Sequence, residues 1–451
     1  MADRVKDVVP LREATRTWFL ISLQTFGGPA GQIAVMQRVL VDERRWIGER
    51  RFLHALSYCM LLPGPEATQL AIYVGWLLNG GLGGIVAGVL FVLPGVVALL
   101  ALSWLYVAHG DSALVTGLFL GLAPAVVAIV VHAVVRIAGR ALRHRVLIWL
   151  AVAAFLMLAV LGLPFPLVVL GSGVAGWAIG RWRPEVMARA SLPVEEGATP
   201  PLVPDDALHR ARPSVRRNIL VLVVGLALWV APVALAWALA SGAPTVFTDQ
   251  GVFFGGMALV TFGGAYAVLS YVAQAAVGTF GWLSAGEMVR GLALAETTPG
   301  PLIMVVQFVA FLGAYRDPGS LDPWVAAVLA SLLVVWVTFV PCFLFIFLGA
   351  PYVERLRESR ALAAALTGVT AAVVGVIANL AVYFAVHTLF SSTRTLAAGP
   401  VALVVPVWSS YVWPAFVVAG VATVLVFVRE WSVLRTLGLC ALLGLGLSFV
   451  S

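Results

Sequence analysis

Apolar runs of membrane-spanning length follow one another along almost the whole chain. The first series lies at 15–40, 52–78, 82–108, 112–138, 146–162 and 165–180. A second series occupies 251–277, 287–313, 325–349, 361–388, 401–428 and 434–450, after an isolated run at 218–240. A helix needs about 20 apolar residues to cross a hydrocarbon core of about 30 Å. The pattern therefore predicts an all-α polytopic membrane protein. One long polar stretch interrupts it, RWRPEVMARASLPVEEGATPPLVPDDALHRARPSVRR at 181–217, whose seven arginines and several prolines predict a loosely ordered cytoplasmic linker.

The two series repeat one another. TFGG stands at 25–28 and again at 261–264, and PGP stands at 63–65 and at 299–301, each pair 236 residues apart. Trp46 and Trp282 keep that offset, while Pro94 with Pro341 and Gly121 with Gly368 are 247 apart. The eleven extra residues fit the polar insert around AYRDPGSLDPW at 314–324. The expected organisation is a first membrane half at 1–180, the linker at 181–217, an extra helix at 218–240 and a second half at 241–451. One unpaired crossing before the second copy turns that copy upside down. Charge agrees with this: RVLVDERRWIGERR (38–51) carries five arginines, and its counterpart AAVGTFGWLSAG (275–286) carries no charge. The segment GRALRHR (139–145) is basic against a single arginine in LFSSTRTLAAGP (389–400). Conversely, VERLRESR (353–360) and REWSVLR (429–435) are basic in the second half. Opposite bias in equivalent loops is the mark of an inverted repeat.

Composition sharpens the class. Hydrophobic residues make up 61% and charged residues 11% of the 451, more apolar side chain than a soluble core of that size can hide. The net charge of +7 comes almost wholly from arginine, since Lys6 is the one lysine. These arginines sit in loops, where they set orientation, so no nucleic-acid partner is expected. Cys59, Cys342 and Cys440 lie far apart in apolar runs and point to neither a metal nor a disulfide framework. The charged start MADRVKDVVPLREATR does not resemble a signal peptide, which predicts insertion without cleavage.

If all thirteen runs cross and the amino terminus is inside, the five arginines of 38–51 fall outside. Treating 15–40 and 52–78, and their counterparts, as re-entrant hairpins removes the conflict. Each arm, Thr15–Gln24 and Gln32–Val41, is then about 15 Å of helix, half the hydrocarbon core. The favoured reading is four hairpins with FGG and PGP tips plus nine crossings. Broken backbone at membrane depth survives only where protein buries it or water reaches it. Helices starting at Gln32 or Glu66 would present first-turn N–H groups and a positive dipole end to an anion, and glycine would allow close approach. The candidate substrate-binding residues are Thr25, Gly27, Gly28 and Gln32; Pro63, Gly64 and Pro65; Thr261, Gly263 and Gly264; and Thr298, Pro299, Gly300 and Pro301. The hydroxyls of Thr25, Thr261, Thr297 and Thr298 are candidate donors. The plainer alternative is that these motifs are packing and kink devices. Glu66 is the proton-coupling candidate, against a capping role, and Glu296 lies just before the second PGP. Gln37, Gln69 and Gln307 join Gln32 as polar wall candidates. His132 is read as structural, and Arg136 as snorkelling to the cytoplasmic surface.

TFGGPAGQIAVMQ with PGPEATQLAIYVGWLLNGGLGGIVAGVLFVLPG, and TFGGAYAVLSYVAQ with TTPGPLIMVVQFVAFLGAY, resemble the chromate ion transporter family in its long, two-domain bacterial form. The resemblance implies export of chromate across the inner membrane, with sulfate as analogue and the membrane potential or a proton gradient as driver. The implied partners are the oxyanion and the bilayer, with no cofactor; a homo-oligomer is open, and the C-terminus is expected outside. Two alternatives stand beside it. An exporter of another small organic or inorganic anion would share the architecture. A membrane-embedded hydrolase using Glu66 and His132 would need convergent acids or metal ligands, and the sequence has no HExxH, paired aspartates or nucleophile elbow.

Overall fold

Helices stop and restart where the apolar runs carry FGG and PGP. The computed structural model describes residues 8–110, 112–187, 202–203, 214–262, 264–350, 360–398 and 401–449. In the first half Leu11–Ser22 gives way to Gly28–Gln37, which continues as a wider turn to Glu43. Glu49–Cys59 then gives way to Glu66–His109, itself bent at Asn79 and Gly80. In the second half Val246–Val260 precedes Ala265–Ala273, and Ala285–Thr297 precedes Leu302–Met304 and Val305–Arg316. Ion pairs join residues on either side of two breaks, Glu13 to Arg44 at 3.0 Å and Glu287 to Arg316 at 2.6 Å.

Five helices among the described residues are long and apolar enough to cross a membrane: 66–109, 113–141, 215–239, 323–349 and 361–389. With the shorter apolar helices beside them they make a multi-pass membrane protein. Glycine sets how closely several of them approach. Gly176 of Phe165–Trp182 lies against Gly368 of Arg360–Leu389, where an added Cβ would come within 2.8 Å of the Gly368 Cα. Gly121 of Ala113–Ala141 meets Gly444 and Cys440 of Val433–Ser448 in the same way. Both contacts join a first-half helix to a second-half helix.

The extra helix Val215–Leu239 has no buried residue and docks on Pro323–Gly349. Proline explains how. Pro341 lacks the N–H that would bond Val337, and Pro232 lacks the one that would bond Leu228. The Trp229 indole donates to the Val337 carbonyl at 2.8 Å, and the Trp336 indole donates to the Leu228 carbonyl at 2.7 Å. Each tryptophan satisfies the carbonyl that a proline leaves open in the other helix.

The described residues are mostly helical, consistent with an all-α membrane protein, and Thr393–Ala398 and Val401–Pro406 add one short antiparallel strand pair. β-Branched Thr393, Thr395, Val401, Val404 and Val405 favour extended backbone there, so the apolar run 401–428 is helical only from Trp413. The second helical arm of the first tip starts at Gly28, not Gln32, because Gly27 supplies a left-handed cap and Pro29 fits the first turn. Residues 353–359, 451, 188–201 and 204–213 lie outside the described residues, so the basic loop and most of the linker do too.

The segments following the two PGP motifs form the centre. Val305–Ala314 is buried residue by residue, and so is 67–75 in the first half. Their polar side chains, Thr68, Gln69 and Gln307, are buried along with the apolar ones, so both segments face protein rather than lipid.

Candidate functional site

Each tip turns on a glycine in the left-handed half of φ space. The values are 79° at Gly27, 72° at Gly28, 121° at Gly64, 98° at Gly264 and 103° at Gly300. Side chains with a Cβ rarely adopt such angles, so only glycine makes these turns cheaply. Gly263 lies outside the described residues.

The four tips meet, and they are cross-connected between halves. The Gly64 N–H donates to the Thr261 carbonyl at 2.8 Å, and the Gly300 N–H donates to the Thr25 carbonyl at 3.0 Å. Each PGP is thus tied to the TFGG of the other half, and the two ties are images of one another under the sequence offset. Gln32 adds a third, its Nε2 donating to the Gly300 carbonyl at 2.6 Å. Gly95, on the long Glu66–His109 helix, backs the second PGP closely: a Cβ there would fall 2.7 Å from the Pro299 carbonyl oxygen.

Between the tips is a cavity lined by Pro29, Gln32, Pro65, Glu66, Ala67, Gly264, Ala265, Pro301, Leu302 and Ile303. Residues from all four motifs contribute. Its volume is about 10 Å³, the space of roughly one water. No acceptor among the described residues engages the N–H groups of Glu66, Ala67 and Thr68, the first turn of a long helix whose dipole points into this space.

Two carboxylates belong to the site. Glu66 is the first residue of its helix and lines the cavity, and no hydrogen bond or ion pair among the described residues engages it. A capping role for it is therefore not seen. Glu296 is buried and accepts from the Tyr266 hydroxyl at 2.5 Å, while its Oε2 has no partner. Tyr266 faces the first tip, its Oη 4.0 Å from where a Gly28 Cβ would stand.

The threonines behave differently from expectation. Thr25 donates to the Ser22 carbonyl, Thr261 to Met257, Thr297 to Leu294 and Thr298 to Ala295, at 2.7–2.9 Å. Their protons satisfy the open carbonyls at the ends of the preceding helices, so none faces the cavity as a donor. Gln69 donates to the Pro63 carbonyl at 2.7 Å and braces its own tip, whereas Gln307 reaches the Val96 carbonyl at 3.0 Å. His132 packs edge-on against Phe427 at 5.1 Å, and Arg136 is exposed. Tyr266 carries no signal in the sequence, because it pairs with Glu296 only through the meeting of two separate helices. No group of histidine, cysteine and carboxylate among the described residues could hold a metal, and the three cysteines are free and buried.

The chromate transporter family profile matches residues 12–177 and 248–445. The chain belongs to the chromate transporter family. Among the family's curated proteins, the chromate transport protein of Pseudomonas aeruginosa is 35% identical over 361 residues, 79% of this chain and 76% of that protein. The chromate transport protein of Cupriavidus metallidurans is 28% identical over 86% of each chain. A probable chromate transport protein of Synechococcus elongatus is 27% identical over 87% of this chain and 89% of its own length. No solved structure matches. The family is one of transporters, not enzymes, which sets the hydrolase alternative aside.

Proposed function

We propose that this chain exports chromate across the inner membrane, with sulfate as a competing analogue, and holds the anion among the four tips. The observation that carries the proposal is the reciprocal tie of Gly64 to Thr261 and Gly300 to Thr25, which gathers the four tips around one cavity. Helix starts with open N–H groups favour a dianion without any lysine. Release from oriented amides is easier than from an arginine clamp, as a transporter requires. A cavity of about 10 Å³ is too small for a tetrahedral oxyanion, so the described conformation corresponds to a closed site, and transport requires the tips to part. Export of another small anion is the second reading, favoured by the same feature: oriented backbone amides recognise negative charge more than the identity of the central atom.

The tips belong to four re-entrant hairpins in two inverted halves. The Glu13–Arg44 and Glu287–Arg316 pairs support this, because each links the outer ends of two arms, which a straight crossing would hold about 30 Å apart. The amino terminus, linker and segment 38–51 are then cytoplasmic, with 275–286 and the C-terminus external. Single-cysteine labelling in a cysteine-free background checks the orientation. Position 42 is expected to react only from the cytoplasmic side and position 278 only from outside, both being exposed; external labelling at 42 would remove the first-half hairpins.

Coupling rests on Glu66. A dianion about 5 Å from an ionised carboxylate is disfavoured by about 6–7 kcal/mol at an effective dielectric of 20. Proton uptake by Glu66 on anion binding relieves this, so proton and anion would leave together as one net negative charge, which a membrane potential negative inside drives outward. Glu66→Gln is expected to retain chromate binding and lose the uptake that an imposed gradient, acidic outside the vesicle, drives. Gradient-driven uptake equal to wild type in everted vesicles would end the coupling role.

A further inference from the structure

A cavity of about 820 Å³ lies apart from the tips and is lined by residues of Ala113–Ala141, Ala285–Thr297, the end of Arg360–Leu389 and Val433–Ser448. Its polar lining consists of Thr116, Arg290, His387, Thr388 and Ser448, with no carboxylate among the described residues. Arg290 is the one permanently charged group among those lining residues. Among the described residues Arg290 joins no ion pair: it donates to the Tyr106 hydroxyl at 3.2 Å and lies 5.6 Å above the Phe119 ring. A guanidinium has five donor hydrogens, so this leaves most of its hydrogen-bonding capacity unused. Thr388 Oγ1, on the same cavity, is buried and has no partner among the described residues. An arginine in an apolar region without a counter-charge is costly unless water or a ligand attends it.

Position gives the cavity its meaning. Arg290 sits on the helix that leads to the second PGP, and Thr297, its last residue, is about 10 Å further along. We propose that this cavity is the outer release site of the transported tetrahedral oxyanion, which reaches it from the tips along Ala285–Thr297. The inference rests on the transport reading above. Arg290 draws the dianion by charge, the unpartnered Thr388 hydroxyl donates to it, and His387 borders it. The His387 Nδ1 lies 2.8 Å from the Tyr383 carbonyl, which leaves Nε2 free to turn to the cavity. The same chemistry would suit a lipid phosphate, so the test separates the two sources.

Because a secondary carrier runs in either direction, chromate entry is measured in right-side-out vesicles, where the cavity faces the added anion, at varied ionic strength. Arg290→Gln is expected to raise KM about 10-fold, hold the maximal rate within about 2-fold and flatten the salt dependence, as removal of a steering charge does. Arg290→Lys, which keeps the charge, should restore most of the affinity, and Thr388→Val should raise KM about 2- to 3-fold. An unchanged KM and salt dependence in Arg290→Gln overturns the proposal. A second measurement is independent of that variant. With Cys59, Cys342 and Cys440 replaced, Ala123→Cys on the cavity wall is labelled by an anionic methanethiosulfonate. Sulfate is expected to slow labelling; protection by phosphatidylglycerol but not by sulfate overturns the proposal in favour of a lipid site. Absence of any wild-type chromate flux would instead defeat the transport reading itself.

Discussion

Gly264→Val is expected to reduce chromate transport at least 10-fold while the protein still reaches the membrane. Gly264 caps the helix Ala265–Ala273 at φ 98° and lines the central cavity, and no atom lies within 4 Å of where its Cβ would stand. Space therefore does not forbid the side chain. Two other effects do the damage. A β-branched residue in the left-handed region is disfavoured by about 1–2 kcal/mol or more, so the tip relaxes toward another geometry. The branched carbons also stand where the anion must approach the backbone. Gly264→Ala shares the backbone cost with only a methyl group in the cavity, so it should fall between valine and wild type. Gly28→Val should act similarly at φ 72°, with the Tyr266 hydroxyl 4.0 Å away as an added constraint. Flux normalised to membrane-inserted protein is the readout; valine variants with normal flux and affinity would make the tips structural.

Gly95→Leu attacks the same tip from behind and should be the more destructive to folding. A Cβ at Gly95 falls 2.7 Å from the Pro299 carbonyl oxygen, and the Gly300 Cα is 3.6 Å away. Both obstacles are backbone of a tip already tied to Thr25 and, through Gln32, to the first half. Close-packed interiors transmit such strain, and overpacking typically destabilises by about 1–3 kcal/mol. Here the whole tip must shift, so the expected cost is at the upper end, about 3 kcal/mol. The detergent-solubilised variant should show a lower Tm and little transport even where it inserts. A Tm within about 1 °C of wild type, against the several degrees that such a cost implies, would mean that the tip moves freely against its helix.

Much of this arrangement is legible in the chain. Glycine and proline have few physical uses in apolar helices, so FGG and PGP at constant spacing mark real helix breaks, and Glu66 does open a helix. What the sequence does not carry is pairing between the breaks. Nothing local to Gly64 specifies Thr261, and the buried bond between Tyr266 and Glu296 joins two separate helices. The threonine hydroxyls depart from expectation for a local reason: a helix that ends at a break leaves carbonyls open, and the nearest hydroxyl takes one. The strand pair at 393–406 is hidden because a short β-branched run resembles the start of an apolar helix. Arg290 looks like one more loop arginine, since its lack of a carboxylate partner emerges only once the fold surrounds it.

Locating chromium itself tests the central claim most directly. Crystals of the protein grown with chromate, measured at the chromium absorption edge, give the anion's position independently of any fitted side chain. The expected result is an anomalous peak among Pro29, Pro65, Gly264 and Pro301, within hydrogen-bond reach of the open N–H groups of Glu66, Ala67 and Thr68. That peak should vanish in Gly264→Val crystals. Chromium bound elsewhere, with no peak between the tips at saturating chromate, would contradict the account.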